Sequence, residues 1–368
     1  MTGSVAIIGT RGYPSYYGGF ETAVRKIAPY LADQGWEVTV YGRAGATKSD
    51  DRERDHRVRT VVTRGVESKS LSTLSYGLTA ALHAFRAKPD VALIMNVANG
   101  YFLPLLKLRG IKTLVNVDGI EWDRAKWGRL AKLVFKLGAR FTAMFADDLV
   151  FDSVEIERRW NREFKREGVF IPYGGETRGE LPVQEGLSHR GYVLAVARFV
   201  PENTIPEFLE AAEAIGQQHP VVIVGSSGYG GTLDDQARKL AADNDRIYAL
   251  GHISDDSRLL ALWQHAGVYF HGHSVGGTNP TLVQAMALGV PIVARDTVYN
   301  REVLGEGARL CEPNAGSITA AVLDLMGDAE AQEHASRTLS ERAAARYTWE
   351  GVCRAYDAAL QRLKGRKD

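Results

Sequence analysis

The stretch His271-Gly-His-Ser-Val-Gly-Gly-Thr-Asn-Pro-Thr-Leu-Val-Gln-Ala-Met-Ala-Leu-Gly-Val-Pro-Ile-Val-Ala294 decides the fold. It comes after a short apolar run, Gly267 to Phe270, that reads as a strand. Gly276 and Gly277 let the backbone turn tightly. Thr278 and Asn279 can cap a helix, Pro280 suits its first turn, and Gly289 stops it. Residues 281–288 are therefore expected to be helical, and Pro291 to Ala294 a second strand. A strand, a glycine loop and a helix start make an anion site, because backbone N–H groups and the helix dipole point at one spot. A phosphate or diphosphate is the expected guest.

The same alternation extends in both directions. In the first half, strands are expected at 5–8, 37–41, 58–63, 91–95, 113–117 and 149–152, with helices at 19–34, 73–87, 127–145 and 153–164. The run closes near Val169–Pro172. The second half repeats it: strands at 192–197, 221–224, 247–249 and 268–270, helices at 204–217, 232–243 and 256–265. Helices at 316–326, 329–345 and 349–363 end the chain. Such runs imply parallel sheets covered on both faces. Only segment 43–57, charged and poor in glycine, reads as loosely held.

Composition narrows the class. A chain of 368 residues exceeds one comfortable core, so two domains are expected. Lys and Arg number 45 against 44 Asp and Glu, which leaves no net field for nucleic acid. Cys311 and Cys353 are too few for a disulfide scaffold, and a strand at Val5–Ile8 opens the chain where a leader would sit. A cytoplasmic setting is expected. The longest uncharged stretch, 91–106, is too short and too broken by Asn96, Asn99, Gly100 and Pro104 to span a bilayer.

The segment from His271 to Pro280 resembles the donor loop of family 4 of the GT-B glycosyltransferases. Its wording is closer still to a bacterial rhamnosyltransferase-like branch. Two further blocks resemble that branch: Ile8-Gly-Thr-Arg-Gly-Tyr-Pro-Ser-Tyr-Tyr-Gly-Gly-Phe-Glu-Thr22 and Asn116-Val-Asp-Gly-Ile-Glu-Trp-Asp-Arg-Ala-Lys-Trp127. The resemblance implies two Rossmann-like doubly wound domains facing a central cleft: residues 1–172 for the acceptor and 173–345 for the donor. Helix 346–368 would pack back onto the first. It implies retaining transfer of a sugar, L-rhamnose from dTDP-L-rhamnose, to a hydroxyl of a lipid-linked glycan in cell-surface polysaccharide synthesis. The nucleotide-sugar is then substrate, and no cofactor or metal is implied. Two other readings stand beside it. One is a sugar phosphorylase or nucleotide-sugar epimerase of the same architecture; the other is a non-catalytic sugar-nucleotide or glycan-binding protein.

The candidate residues come from both lines. In the resembling family two Glu flank the donor turn, and here Gly276 and Gln284 stand at those positions. Gln284 can still hydrogen-bond a ribose hydroxyl, without the strength of a carboxylate. The family also implies that Arg198 neutralises the donor diphosphate, unless it is only a surface ion pair. Asn203 replaces a family Lys and doubles as the expected cap of helix 204–217. Gly225, His252 and His273, just past their strands, complete the donor set with Gly277, Thr278 and Asn279. Gly18 and Gly19, before Glu21, open a helix that can offer N–H groups, with no dinucleotide fingerprint. Asp118 and Glu121 come after the strand 113–117, where either can take the proton of an acceptor hydroxyl or simply make a turn. Trp122, Arg124, Lys126 and Trp127 are the expected acceptor contacts. From Arg124 to Arg140 there are six basic residues and no acid. Arg129, Lys132, Lys136 and Arg140 are expected on one face of the helix, with Leu130, Leu133, Val134, Leu137 and Phe141 on the other. That helix suits an anionic membrane surface or is an ordinary solvated face. Asp243-Asn-Asp245 spells a metal-site signature but reads as a turn.

Overall fold

The computed structural model describes residues 3–16, 18–47, 50–67, 72–124, 127–228, 230–306 and 308–366. Lys126 lies outside them. The chain divides into two compact units, Met1–Tyr173 with Trp349–Asp368, and Gly174–Thr348.

The first unit runs β1 (Gly3–Ile8), α1 (Gly19–Asp33), β2 (Trp36–Arg43), β3 (Arg59–Thr63), α2 (Ser72–Ala87), β4 (Val91–Met95) and α3 (Leu103–Leu108). It continues through β5 (Lys112–Asn116), α4 (Arg129–Phe145), β6 (Asp148–Phe151), α5 (Val154–Phe164) and β7 (Val169–Phe170). Its sheet is parallel, in the order β3-β2-β1-β4-β5-β6-β7. Every residue of β4 is buried, as a strand covered on both faces requires.

The second unit runs β8 (Val193–Val196), α6 (Ile205–Ile215), β9 (Val221–Val224), α7 (Thr232–Asp243), β10 (Ile247–Gly251) and α8 (Asp256–His265). Then come β11 (Val268–His271), α9 (Pro280–Ala287), β12 (Ile292–Arg295), α10 (Val298–Leu304), β13 (Arg309–Cys311), α11 (Ala315–Met326) and α12 (Ala329–Arg346). Its sheet, also parallel, has the order β10-β9-β8-β11-β12-β13. Phe208, Phe270, Ile215, Ile223 and Val322 lie in the core between this sheet and its helices. The last helix, α13 (Trp349–Gly365), belongs to the first unit. There the Trp36 indole donates to Asp357 at 2.7 Å, and the Asn116 amide to the Tyr356 hydroxyl at 2.7 Å.

Two expectations change. Segment 43–57 is tied down where it is described: Tyr16 donates to Asp51 at 2.7 Å, and Arg57 bridges Asp33 and Asp55. Helix α4 is turned part of the way round: Arg129, Lys136 and Arg140 face outward as expected, and Val134, Leu137 and Phe141 are half-buried. It buries Gly138, Ala139 and Thr142, while Leu130 and Leu133 are 76% and 54% exposed and Met144 is 69% exposed. The reason is close approach. A Cβ on Gly138 would stand 2.7 Å from the Val97 carbonyl, so the smallest residues of α4 seat against the 3-10 turn Val97–Phe102.

Candidate functional site

Strands β8 and β11 lie side by side, but their connections leave in opposite directions, to β9 and to β12. Such a switch point opens a crevice beyond the carboxyl ends of the two strands. Two segments of this chain enter it: Arg198–Asn203 after β8, and Gly272–Asn279 after β11.

Helix α9 starts there. Asn279 caps it, its Oδ1 accepting from the Thr281 N–H at 3.0 Å and the Thr281 hydroxyl at 2.7 Å, and Pro280 fills the first turn. Gly276, with φ +104°, makes the preceding turn. The helix start therefore points its positive dipole end at the switch point, while its own first-turn N–H groups are taken: Pro280 has none, and those of Thr281, Leu282 and Val283 donate to Asn279. Arg198 is exposed there, and no acid among the described residues pairs with it. The two segments are bonded to each other. The Ser274 N–H and hydroxyl both donate to the Glu202 carbonyl, at 3.0 and 2.7 Å. Asn203, buried, donates from Nδ2 to the Arg198 carbonyl at 2.9 Å. It is not the cap of α6: Thr204, left-handed at φ 57°, takes that position, because Pro201–Asn203 is itself a 3-10 turn. Asn203 instead fixes the turn that carries Arg198.

Beneath the loop His271 is fully buried, its Nδ1 3.0 Å from the Tyr269 hydroxyl. Burial holds its pKa well below the ordinary value, with His273 adding to the effect, so the ring is neutral. Its Nε2 has no hydrogen-bond partner among the described residues. His273 stacks on it at 4.5 Å, and the His273 carbonyl accepts from Asn300 Nδ2 at 3.1 Å. Gly225 and His252 sit where their strands end, Gly225 donating to the Gly251 carbonyl at 2.8 Å and His252 exposed. Gln284 departs from expectation. Its Oε1 accepts from the Glu176 N–H at 3.0 Å and its Nε2 donates to the Glu176 carbonyl at 2.8 Å. The carboxamide expected on a ribose is spent on backbone.

Arg295 and Asn300 join this site without a motif to announce them. Arg295 ends β12 and donates to the Thr204 hydroxyl at 3.0 Å; buried Asn300 also donates to the Arg295 carbonyl at 2.8 Å. The one available signal is position: Arg295 ends the strand on the other side of β11 from Arg198.

In the first unit the switch point lies between β1 and β4. Asn96 comes after β4 and Asp118 after β5, and both are left-handed, at φ 75° and 60°. Left-handed Asn and Asp next to each other at strand ends are the kind of backbone found at functional sites. Asn96 Nδ2 stands 3.4 Å from Asp118 Oδ2, and its Oδ1 takes the Ala98 N–H at 2.9 Å. No sequence pattern marks Asn96 for this place. Glu121 is not a free base: its buried carboxylate pairs with Arg124 at 2.7 Å and accepts from the Trp127 indole at 2.8 Å. Arg124 and Trp127 are thus used in holding their own loop. Trp122 is 6% exposed and packs edge-on against Trp160 and Phe164, a core residue rather than an acceptor contact. Gly18 caps α1 in an extended conformation and Gly19 begins it. Glu21 faces inward and accepts from the Arg11 N–H at 3.0 Å.

Residues 178–342 match the family of glycosyl transferases group 1, and residues 2–176 match a domain of unknown function, DUF1972. The group 1 match falls within the second unit. Over 181 residues the chain is 28% identical to the O-antigen chain mannosyltransferase B of Escherichia coli, covering 46% of each chain. Over 209 residues it is 29% identical to a phosphatidyl-myo-inositol mannosyltransferase of Mycolicibacterium smegmatis, covering 54% of this chain and 53% of that one. The chain thus spans about half the length of the curated relatives it matches. Anabaena HepE in complex with UDP-glucose superposes with a TM-score of 0.76 at 14% identity, covering 98% of this chain and 100% of that one. The fold, two parallel-sheet Rossmann-like domains, is GT-B.

Proposed function

We propose that the protein is a glycosyltransferase that moves a sugar from a nucleotide-sugar to an acceptor hydroxyl in polysaccharide or glycolipid synthesis. One observation carries this reading. Arg198, exposed and without an acid partner among the described residues, stands with the capped start of α9 at the β8/β11 switch point of a group 1 domain. A diphosphate leaving group gains charge as the glycosidic bond breaks. A fixed guanidinium and loop amides stabilise that charge more in the transition state than in the ground state. The group 1 domain is read as the donor unit and the first unit as the acceptor unit.

The finer reading is retaining transfer of L-rhamnose from dTDP-L-rhamnose to a lipid-linked glycan. The wording of the three sequence blocks supports rhamnose, while the two curated relatives are named for mannose. No carboxylate in 272–279 can attack the sugar, so departure and attack on one face is the economical route to retention. Asp118, steadied by Asn96, orients or deprotonates the acceptor hydroxyl. The outward leucines of α4, among Arg129, Lys132, Lys136 and Arg140, suit attachment to an anionic membrane, where a lipid-linked acceptor resides.

The test is a panel of dTDP-, UDP- and GDP-sugars, read by thermal shift and then by transfer to lipid-linked acceptors. One donor raises the midpoint and its sugar appears on the acceptor with its anomeric configuration kept. Arg198→Ala cuts turnover by about 10² or more. Release of sugar phosphate by inorganic phosphate, an epimerised donor, or binding without turnover would each replace this reading by one of its rivals.

A further inference from the structure

Gln284 occupies the donor-helix position at which the resembling family places a ribose-binding carboxylate. The structure gives it different work. Its carboxamide satisfies both the N–H and the C=O of one residue, Glu176, at 3.0 and 2.8 Å. Only an amide can do so; a carboxylate would set an acceptor against the Glu176 carbonyl.

The bonded segment is the one by which the chain enters the second unit. Gly175, next to Glu176, lies flat on α9: a Cβ there would come within 2.5 Å of the Val283 carbonyl and 2.6 Å of the Ala287 Cβ. The Gly175 N–H donates to the Tyr347 carbonyl at 2.8 Å, and Gly175 pairs in parallel with Thr348. Residues 174–176 and 347–348, the entry and the exit of this unit, therefore run side by side, and Gln284 clasps one of them to α9. That helix has eight residues, so about 12 Å separates its ends. Its start faces the donor loop and its middle holds the entry strand.

We infer that Gln284 is a positioning residue that latches the entry segment of the group 1 domain to the donor helix, and that it does not touch the nucleotide. It tunes the sugar-transfer step by fixing the segment through which the two units are joined. This rests on the glycosyltransferase reading for its effect on rate, but the latch itself can be measured without any substrate.

The experiment uses the full chain with Gln284→Met, which keeps length and loses both hydrogen bonds. In the ligand-free protein, amide exchange of the 174–178 segment is followed by mass spectrometry. UDP, GDP and dTDP are then titrated, and the steady-state constants compared. The latch predicts exchange at least about tenfold faster, as loss of a protecting hydrogen bond gives. Affinity for the nucleoside diphosphate and donor KM stay within about threefold, while kcat falls about tenfold. Exchange that does not change overturns the latch, whether or not the protein transfers sugar. A tenfold or greater loss of nucleotide affinity would make Gln284 a ribose contact instead, and an unchanged kcat would remove its role in transfer. Should Gln284→Met not fold, Gln284→Leu carries the same three readouts.

Discussion

His271 shows how a single residue sets the acid tolerance of this site. Buried against Tyr269 and His273, it keeps a pKa well below that of a free imidazole. Above about pH 6.5 the ring is neutral in the folded and unfolded chains alike. Below that, the unfolded chain takes up a proton that the folded chain refuses, so stability falls by up to about 1.4 kcal/mol per pH unit. Urea unfolding between pH 6.5 and 5 is expected to show this loss, and His271→Gln, which keeps a polar group toward Tyr269, to flatten it. An equal slope in the two proteins would mean that other groups govern the decline. At this scale the sequence is legible where function depends on local geometry. The glycine turn, the Asn279 cap and Arg198 lie where spacing puts them. The work of Gln284 is hidden because its partner lies 108 residues away, and the burial of Trp122 because Trp160 and Phe164, which cover it, come from another helix.

Among the elements, α4 carries the clearest consequence of packing. Its small residues face inward, so four basic residues and the exposed Leu130, Leu133 and Met144 share the outer surface. Leu108, 84% exposed at the end of α3, lies on the neighbouring helix. Each basic residue near an anionic bilayer contributes about 1 kcal/mol, and the leucines add apolar insertion. The protein is expected to co-sediment with anionic but not zwitterionic liposomes, less so as salt rises. Lys132→Glu with Lys136→Glu should abolish this, and Leu133→Asp should weaken it at every salt concentration. Indifference of the wild-type protein to anionic liposomes at low salt would leave α4 a solvated face. The sequence pattern shows that α4 is amphipathic but not which side is buried. The spacing of apolar residues carries no sign that Gly138 lets two backbones meet. The same limit hides the short elements: α3, α10 and the three-residue β13 carry too few residues for a period to show.

For the molecule as a whole, the reaction proposed needs its leaving-group charge neutralised, and Arg198 with the α9 start is placed to do so. Asp243 and Asp245 flank an ordinary helix-to-strand turn: α7 ends at Asp243, and Asn244 takes the Arg246 N–H at 2.9 Å. Excess EDTA is expected to leave the transfer rate unchanged, and an activity loss that Mg²⁺ or Mn²⁺ restores would show a divalent ion at work. The alternation of strands and helices makes both units readable from sequence, because each βαβ step is local. The order of synthesis adds a consequence of its own. The first unit borrows α13, and with it the partners of Trp36 and Asn116, from the far end of the chain. Residues 174–348 have all their strands and helices in hand as soon as they leave the ribosome, whereas the first unit must wait, its indole and amide unmatched, until α13 emerges after them. Of the two units, the one made earlier is therefore finished later, and that interval is when a chaperone would find it.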